Sequence, residues 1–194
     1  MINKQFKIIR KEILAIIANS PYPEEVEHAK STYKLVLQLK PSASCLLQIA
    51  ALGHDIDRGV APRIKRADYK GQYNKYKRIH SQRSAQIVAE ILETYNISPE
   101  EIRKVKSLIK KHEVGGDSDS NILKDADSLS FFLYNLEHGY LKSHTRQETI
   151  DKIKWMYQRV TSHRAKRIIN KLKVKNPQAK QLFRQAMCEL EQQK

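Results

Sequence analysis

Glycine and proline are scarce in this chain, six of each among 194 residues, which argues against a fold of strands and tight turns. Cysteine is scarcer. Cys45 and Cys188 stand far apart, outside any metal-type spacing, and Cys45 lies in an apolar helical run where a buried thiol is expected. That excludes a disulfide framework. No apolar run approaches the roughly 20 residues a bilayer demands. The opening stretch MINKQFKIIRKEILAIIANS mixes Lys, Arg and Glu into its apolar residues, so it lacks the clean centre and small-residue cleavage site of a secretory signal. These absences predict a reduced, cytoplasmic protein with no membrane partner.

Positive charge is abundant. Thirty-six Lys and Arg against 21 Asp and Glu give a net charge of +15. Such a balance serves solubility and also attracts polyanions, a nucleotide or a nucleic acid. The length suits one domain, residues 1–194, with a core of its own.

Helical periodicity recurs along the chain. Phe6, Ile9, Leu14 and Ile17 begin it, and Pro21 and Pro23 interrupt it. Helices are expected over 24–39, 42–56 and 76–95. Ser98, Pro99 and Glu101 then read as a capped start for a helix reaching His112. EVGGDSDSN reads as a loop, followed by a helix over 122–136 and two or three more within 147–192. The segment from Gly59 to Tyr73 carries glycine, proline and many cations, and is expected to be a long surface loop or short helix. The fold class is all-α, a compact single-domain helical bundle with extra C-terminal helices at about 146–192.

Ionisable groups stand on the inward stripes of these helices. His28 shares a face with Thr32, Leu35 and Leu39; His54 follows Leu47 and Ala50; His80 leads Ser84, Ile87 and Ile91; His112 follows Val105 and Ile109; Asp127 precedes Phe131 by one turn. Any one such histidine fits a hydrogen-bonded core position. Four of them with Asp55 and Asp127 would each need a private partner, because an unpaired buried carboxylate costs several kcal/mol or more. One shared divalent cation answers for all of them, and imidazole with carboxylate is the donor set for Mn, Fe, Co, Ni or Zn, with Mg a further option. Six donors suit either one octahedral ion or two ions bridged by Asp55.

The order His28, His54-Asp55, Asp127 resembles the HD-domain superfamily of metal-dependent phosphohydrolases. His80 and His112 resemble the additional ligands of members that hold two metals. The resemblance covers about 24–134 and implies an all-α bundle of the HD type with a metal-dependent phosphohydrolase activity. Its last ligand stands in an AD-x-L context, which favours Asp127 over Asp125; on a helix the two point roughly 200° apart, so one of them faces the metal. The acidic pair that alarmone hydrolases of this superfamily carry after the HD dipeptide is replaced here by Arg58 and Gly59. The proline-bearing signature of cyclic-dinucleotide phosphodiesterases is missing after His112.

The resemblance implies cleavage of a phosphate ester or anhydride, with a nucleotide as the leading substrate. A bound cation lowers the pKa of its water and polarises a phosphoryl oxygen. Asp55 is then the bridging and catalytic ligand, and Arg58 offsets charge on phosphate oxygens. Arg63, Lys65, Arg66 and Arg83 are further candidates for the phosphate. Tyr69 and Tyr73, alternating with lysines, form a candidate stacking platform. His138, His144 and His163 have polar neighbours and read as surface residues, while Trp155 reads as core. Two rival readings stand beside this one: a non-catalytic nucleic-acid-binding protein on a degenerate HD fold, and a di-iron oxygenase using the same cage.

Overall fold

The computed structural model describes residues 2–192, apart from the side chains of Asn3 and Arg66; the expected role of Arg66 therefore lies outside the described residues. Every regular element among them is helical. α1 spans Ile2–Ile17, α2 Glu25–Leu39, α3 Cys45–Gly53, α4 Tyr73–Thr94 and α5 Pro99–Lys111. α6 covers Ser118–Ser130 and continues through a π-helical stretch, Phe131–Tyr140, into α7, Leu141–Ser143. α8 (Arg146–Arg159), α9 (His163–Asn170) and α10 (Pro177–Gln192) follow. None of the described helices is long and apolar enough to cross a membrane.

The composition of α3 makes it the centre. Leu47, Ile49, Ala50, Ala51 and Leu52 are fully buried, and the helix packs against α1, α2, α5 and α6. α1 contributes Ile9, Ile13 and Ile17, spaced four apart so that they fall on one face. α4 and α5 lie side by side. α6 touches α2, α3 and α5 on one side and α8 and α9 on the other, so it links the first helices to the C-terminal ones.

The structure departs from the periodic pattern in three places. First, α3 ends at Gly53, and Ile56–Gly59 forms a separate 3-10 turn. His54 stays helical (φ −60°, ψ −30°) while Asp55 breaks away (φ −113°, ψ 17°). That change of direction lets neighbours in sequence approach one site. Gly59 permits the turn to lie on α1, because a Cβ there would stand 2.1 Å from the Ile16 carbonyl oxygen. Second, α6 starts at Ser118 and not at Ile122: Asp117 and Ser120 form a reciprocal capping box, so the small polar residues that read as loop are the helix start. Third, Cys45 is only half-buried, at the first position of α3.

Candidate metal centre

Six helical segments deliver the six predicted donors. His28 comes from α2, His54 caps α3, Asp55 opens the 3-10 turn, His80 comes from α4, His112 caps α5 and Asp127 lies in α6. All six are buried, none more than 8 % exposed.

Each imidazole has its Nδ1 engaged away from the centre. His54 Nδ1 lies 3.0 Å from the Ala51 carbonyl oxygen and His112 Nδ1 2.7 Å from that of Ile109. A carbonyl only accepts, so both Nδ1 atoms carry a proton, which leaves each Nε2 as the atom a metal would take. His28 Nδ1 lies 2.9 Å from Ser130 Oγ, whose hydroxyl donates to the His28 carbonyl and so receives the ring proton. His80 Nδ1 lies 2.8 Å from Asp57 Oδ1, an oxygen that also accepts from Ser84 Oγ at 3.1 Å. Fixing one ring nitrogen by a carbonyl, hydroxyl or carboxylate is how metal-ligating histidines are oriented.

The Nε2 atoms then meet. His28 Nε2 and His54 Nε2 are 3.1 Å apart. Asp127 Oδ1 lies 3.3 Å from the first and 3.7 Å from the second, and Asp55 Oδ2 lies 3.8 and 3.7 Å from them. With His54 protonated, its Nε2–H fills that gap; once that proton leaves, two lone pairs face across 3.1 Å and a cation suits both. With metal–ligand bonds of about 2.1 Å, donors on one ion stand roughly 3.0–3.4 Å apart, so this set fits a divalent cation. The other oxygen of Asp55 faces a second group: Oδ1 is 2.8 Å from His80 Nε2 and 3.7 Å from His112 Nε2. His28, His54 and Asp55 form one group able to hold an ion, and Asp55, His80 and His112 form another. Asp55 is common to both.

Charge in the cluster is compensated in a consistent direction. Burial opposes ionisation of Asp55, but Arg58, His54 and His80 outweigh it and hold the carboxyl well below its usual range. For Asp127 burial is likewise outweighed, by Arg159 and then by His28 and His54. Burial lowers the two histidines between these acids, yet His54 is raised to about 9, by Asp55 first, and His80 to about 10, by Asp55 and Asp57. His112 is lowered: burial, with the neighbouring His54 and His80 adding to it, outweighs Glu113 and Asp55.

Asp125 and Asp127 face different ways. Asp127 faces the histidines, while Asp125 accepts from the Thr161 and Ser162 backbone N–H groups at 3.0 and 2.7 Å, which ties α6 to the start of α9. The arginines divide differently from expectation. Arg58 reaches the cluster, with Nη2 2.9 Å from Asp55 Oδ2 and Nη1 2.5 Å from Glu25 Oε1. Arg63 is spent on the Arg58 and Asn19 carbonyl oxygens and Arg83 on those of Pro62 and Val60, so both hold the loop. Lys65 is exposed. Tyr69 packs on Tyr76, 5.9 Å between ring centroids, and Tyr73 reaches Trp155 at 6.3 Å. Trp155 is half-buried and ringed by cations, not enclosed in the core.

Sequence reasoning missed five residues that support the donors. Glu25 and Asp57 are buried acids that no local sequence pattern singles out. Ser130 supports His28. Glu113 places Oε1 3.7 Å from His112 Nε2. Arg159 reaches in from α8, with Nη1 2.9 Å from Asp127 Oδ2 and Nη2 2.9 Å from the His112 carbonyl oxygen.

A family model for a domain of unknown function, DUF4202, matches residues 11–183. The chain belongs to the DUF4202 family. No curated protein and no solved structure matches it. The match runs from α1 into α10, so the DUF4202 domain includes α8 and its Arg159 together with the six donors.

Proposed function

We propose that this DUF4202 chain is a metal-dependent phosphohydrolase that cleaves a phosphate ester or anhydride of a small substrate, a nucleotide being the leading class. The observation that carries the reading is the convergence of four imidazole Nε2 atoms on the two oxygens of Asp55 and on Asp127, with every Nδ1 engaged elsewhere. The H…HD…H…H…D order resembles the HD-domain phosphohydrolases, which supports the reaction class as an analogy.

His28, His54, Asp55 and Asp127 would hold one divalent ion; His80, His112 and the second oxygen of Asp55 would hold another. When bound, such a cation supplies a water that ionises near neutral pH and a Lewis acid for a phosphoryl oxygen. The protein's own groups then have distinct tasks. Arg58 keeps Asp55 ionised and in place from one side, and His80 does so from the other. Arg159 does the same for Asp127. Asp57 orients His80, and Ser84 orients Asp57. Glu113 places Oε1 3.7 Å from His112 Nε2 and Oε2 3.6 Å from Arg159 Nη2, and we assign it the uptake or return of a proton beside His112.

The test is turnover by the purified chain loaded with Mn, Co, Fe or Zn against a panel of nucleotides and simple phosphate esters. Wild type hydrolyses at least one class, and His54→Ala with Asp55→Ala abolishes this while helical circular dichroism persists. Hydrolysis that survives the double change would overturn the reading.

A further inference from the structure

A closed circuit of contacts starts and ends on the donor cluster. His80 stacks on Tyr76 at 5.8 Å, Tyr76 on Tyr73 at 6.1 Å, and Tyr73 meets the Trp155 ring edge-on at 6.3 Å. The Arg159 guanidinium carbon lies 4.7 Å from the Trp155 ring centre, and Arg159 returns to Asp127. Tyr73, Tyr76 and Trp155 are all half-buried, so this wall has a face open to solvent. It is built jointly by α4 and α8.

Three cations crowd the one indole of the chain. Lys152 Nζ lies 4.4 Å from the Trp155 ring centre, Lys77 Nζ 5.0 Å and Arg159 4.7 Å. Cation–π attraction supports each singly, but like charges converging on one ring repel one another. Arg159 has its answer in Asp127 and Glu113. Among the described residues, Lys77 and Lys152 have neither an ion-pair partner nor a hydrogen bond. Burial, with Arg159 adding to it, outweighs Glu113 and pushes the Lys152 ammonium down to about 8. Arg58, Arg63 and Arg83 are committed to acids or carbonyls. Among the described residues, the two lysines are thus the uncommitted positive charge on this wall.

We infer that Lys77 and Lys152, meeting at Trp155 beside the donor cluster, form a binding site for a dianionic phosphate group. Two unanswered ammonium groups match a phosphate monoester or inorganic phosphate, each carrying two charges, better than a diester carrying one. The source of that phosphate, substrate or released product, rests on the proposed phosphohydrolase reading; the site itself does not.

Trp155 is the only tryptophan, so its fluorescence reports the site without turnover. The probes are inorganic phosphate, methyl phosphate and dimethyl phosphate, titrated into the full chain after dialysis has removed metal and chelator. Inorganic and methyl phosphate should give a saturable change, and dimethyl phosphate should bind at least about tenfold more weakly, one charge-assisted contact being worth roughly that factor. Lys77→Gln and Lys152→Gln should each weaken methyl phosphate about tenfold by calorimetry. Lys152→Arg should retain it, and Lys104→Gln, in an exposed pair on α5 with Glu100, should change nothing.

No saturable response, equal affinity for methyl and dimethyl phosphate, or undiminished affinity in both glutamine variants would overturn the inference. Turnover separates it from the function. Lysine-dependent phosphate binding without hydrolysis under any metal sinks the enzyme reading and keeps the site. Hydrolysis with an unchanged KM in both glutamine variants keeps the enzyme and sinks the site.

Discussion

Arg159 Nη1 lies 2.9 Å from Asp127 Oδ2, while the other oxygen of the same carboxylate faces His28 and His54. The last residue of α8 therefore holds a candidate metal ligand from behind. The pair is nearly buried, with side chains 8 % and 12 % exposed. Removing one member of a buried pair costs about 3–5 kcal/mol, because the other charge is left without compensation. Arg159→Met should lower the melting temperature of the metal-free chain strongly. Added divalent metal should restore part of that loss, since a cation compensates Asp127 in place of the guanidinium. Thermal melts with and without metal check this; equal losses in both conditions would remove Asp127 from the metal site.

Asp57 stands behind His80 as Arg159 stands behind Asp127. Its Oδ1 lies 2.8 Å from His80 Nδ1 and accepts from Ser84 Oγ. Asp57→Asn keeps the shape and removes the charge that orients the ring. Loss of such a supporting group typically costs about 10–100-fold in metal affinity. The expected result is weaker occupancy of the His80–His112 half with the His28–His54 half retained, so metal content falls from two ions toward one. Elemental analysis after equilibrium dialysis reads the stoichiometry. Full retention of both ions would show that Asp57 does not orient His80 for a metal.

Much of the centre was legible because helical spacing places a polar residue on a face without any knowledge of its partners. His28, His80 and Asp127 each belong to a stripe of apolar residues, and each is buried. The supporting groups were not legible for a physical reason. Arg159 lies 32 residues beyond Asp127 on a helix whose placement is set by packing against α6 and α10, and no local pattern encodes that docking. Asp57 and Glu25 are buried acids whose partners, His80 and Arg58, come from other elements. Arg63 and Arg83 show the converse: position in the basic loop, or one turn after His80, suggests a phosphate ligand, whereas backbone carbonyls of the loop and of Asn19 claim these side chains. Trp155 was read as core from its apolar neighbours, and three cations gathered from α4 and α8 account for its half-exposed position.

The capping box of α6 was hidden in a polar segment, and it carries its own prediction. Asp117 accepts from the Ser120 N–H at 2.9 Å and pairs with Lys111 Nζ at 2.8 Å. Lys111 first, and then the Ser120 N–H, hold the Asp117 carboxyl down to about 2. Asp117→Ala should cost about 0.5–2 kcal/mol, the usual loss for an N-cap. A depressed carboxylate contributes stability above its unfolded value, and that contribution disappears as pH falls through the folded one. The difference between wild type and variant, measured by denaturant melts, should therefore be full at pH 5–7 and shrink as pH falls from about 4 toward 2. A difference that stays constant over that range would show that the charged form is not what caps the helix.

Metal uptake should release protons, and the direction follows from the two raised histidines. In the metal-free chain His54 is held up at about 9 and His80 at about 10 by the acids around them. At pH 8 both imidazoles therefore carry a proton on the nitrogen a metal requires, and that proton must leave. Apparent metal affinity should climb as pH rises through 7 and 8 and flatten only above about 11, where both rings are neutral. Calorimetric titration of Zn or Mn in buffers of different ionisation enthalpy counts the protons directly. The expected count at pH 8 lies between one and two, falling to about one half near pH 10 and toward zero above it. Asp57→Asn should reduce it, because the charge of Asp57 helps to keep His80 protonated. Uptake with no proton release at pH 8 would mean that His54 and His80 do not both meet the ion.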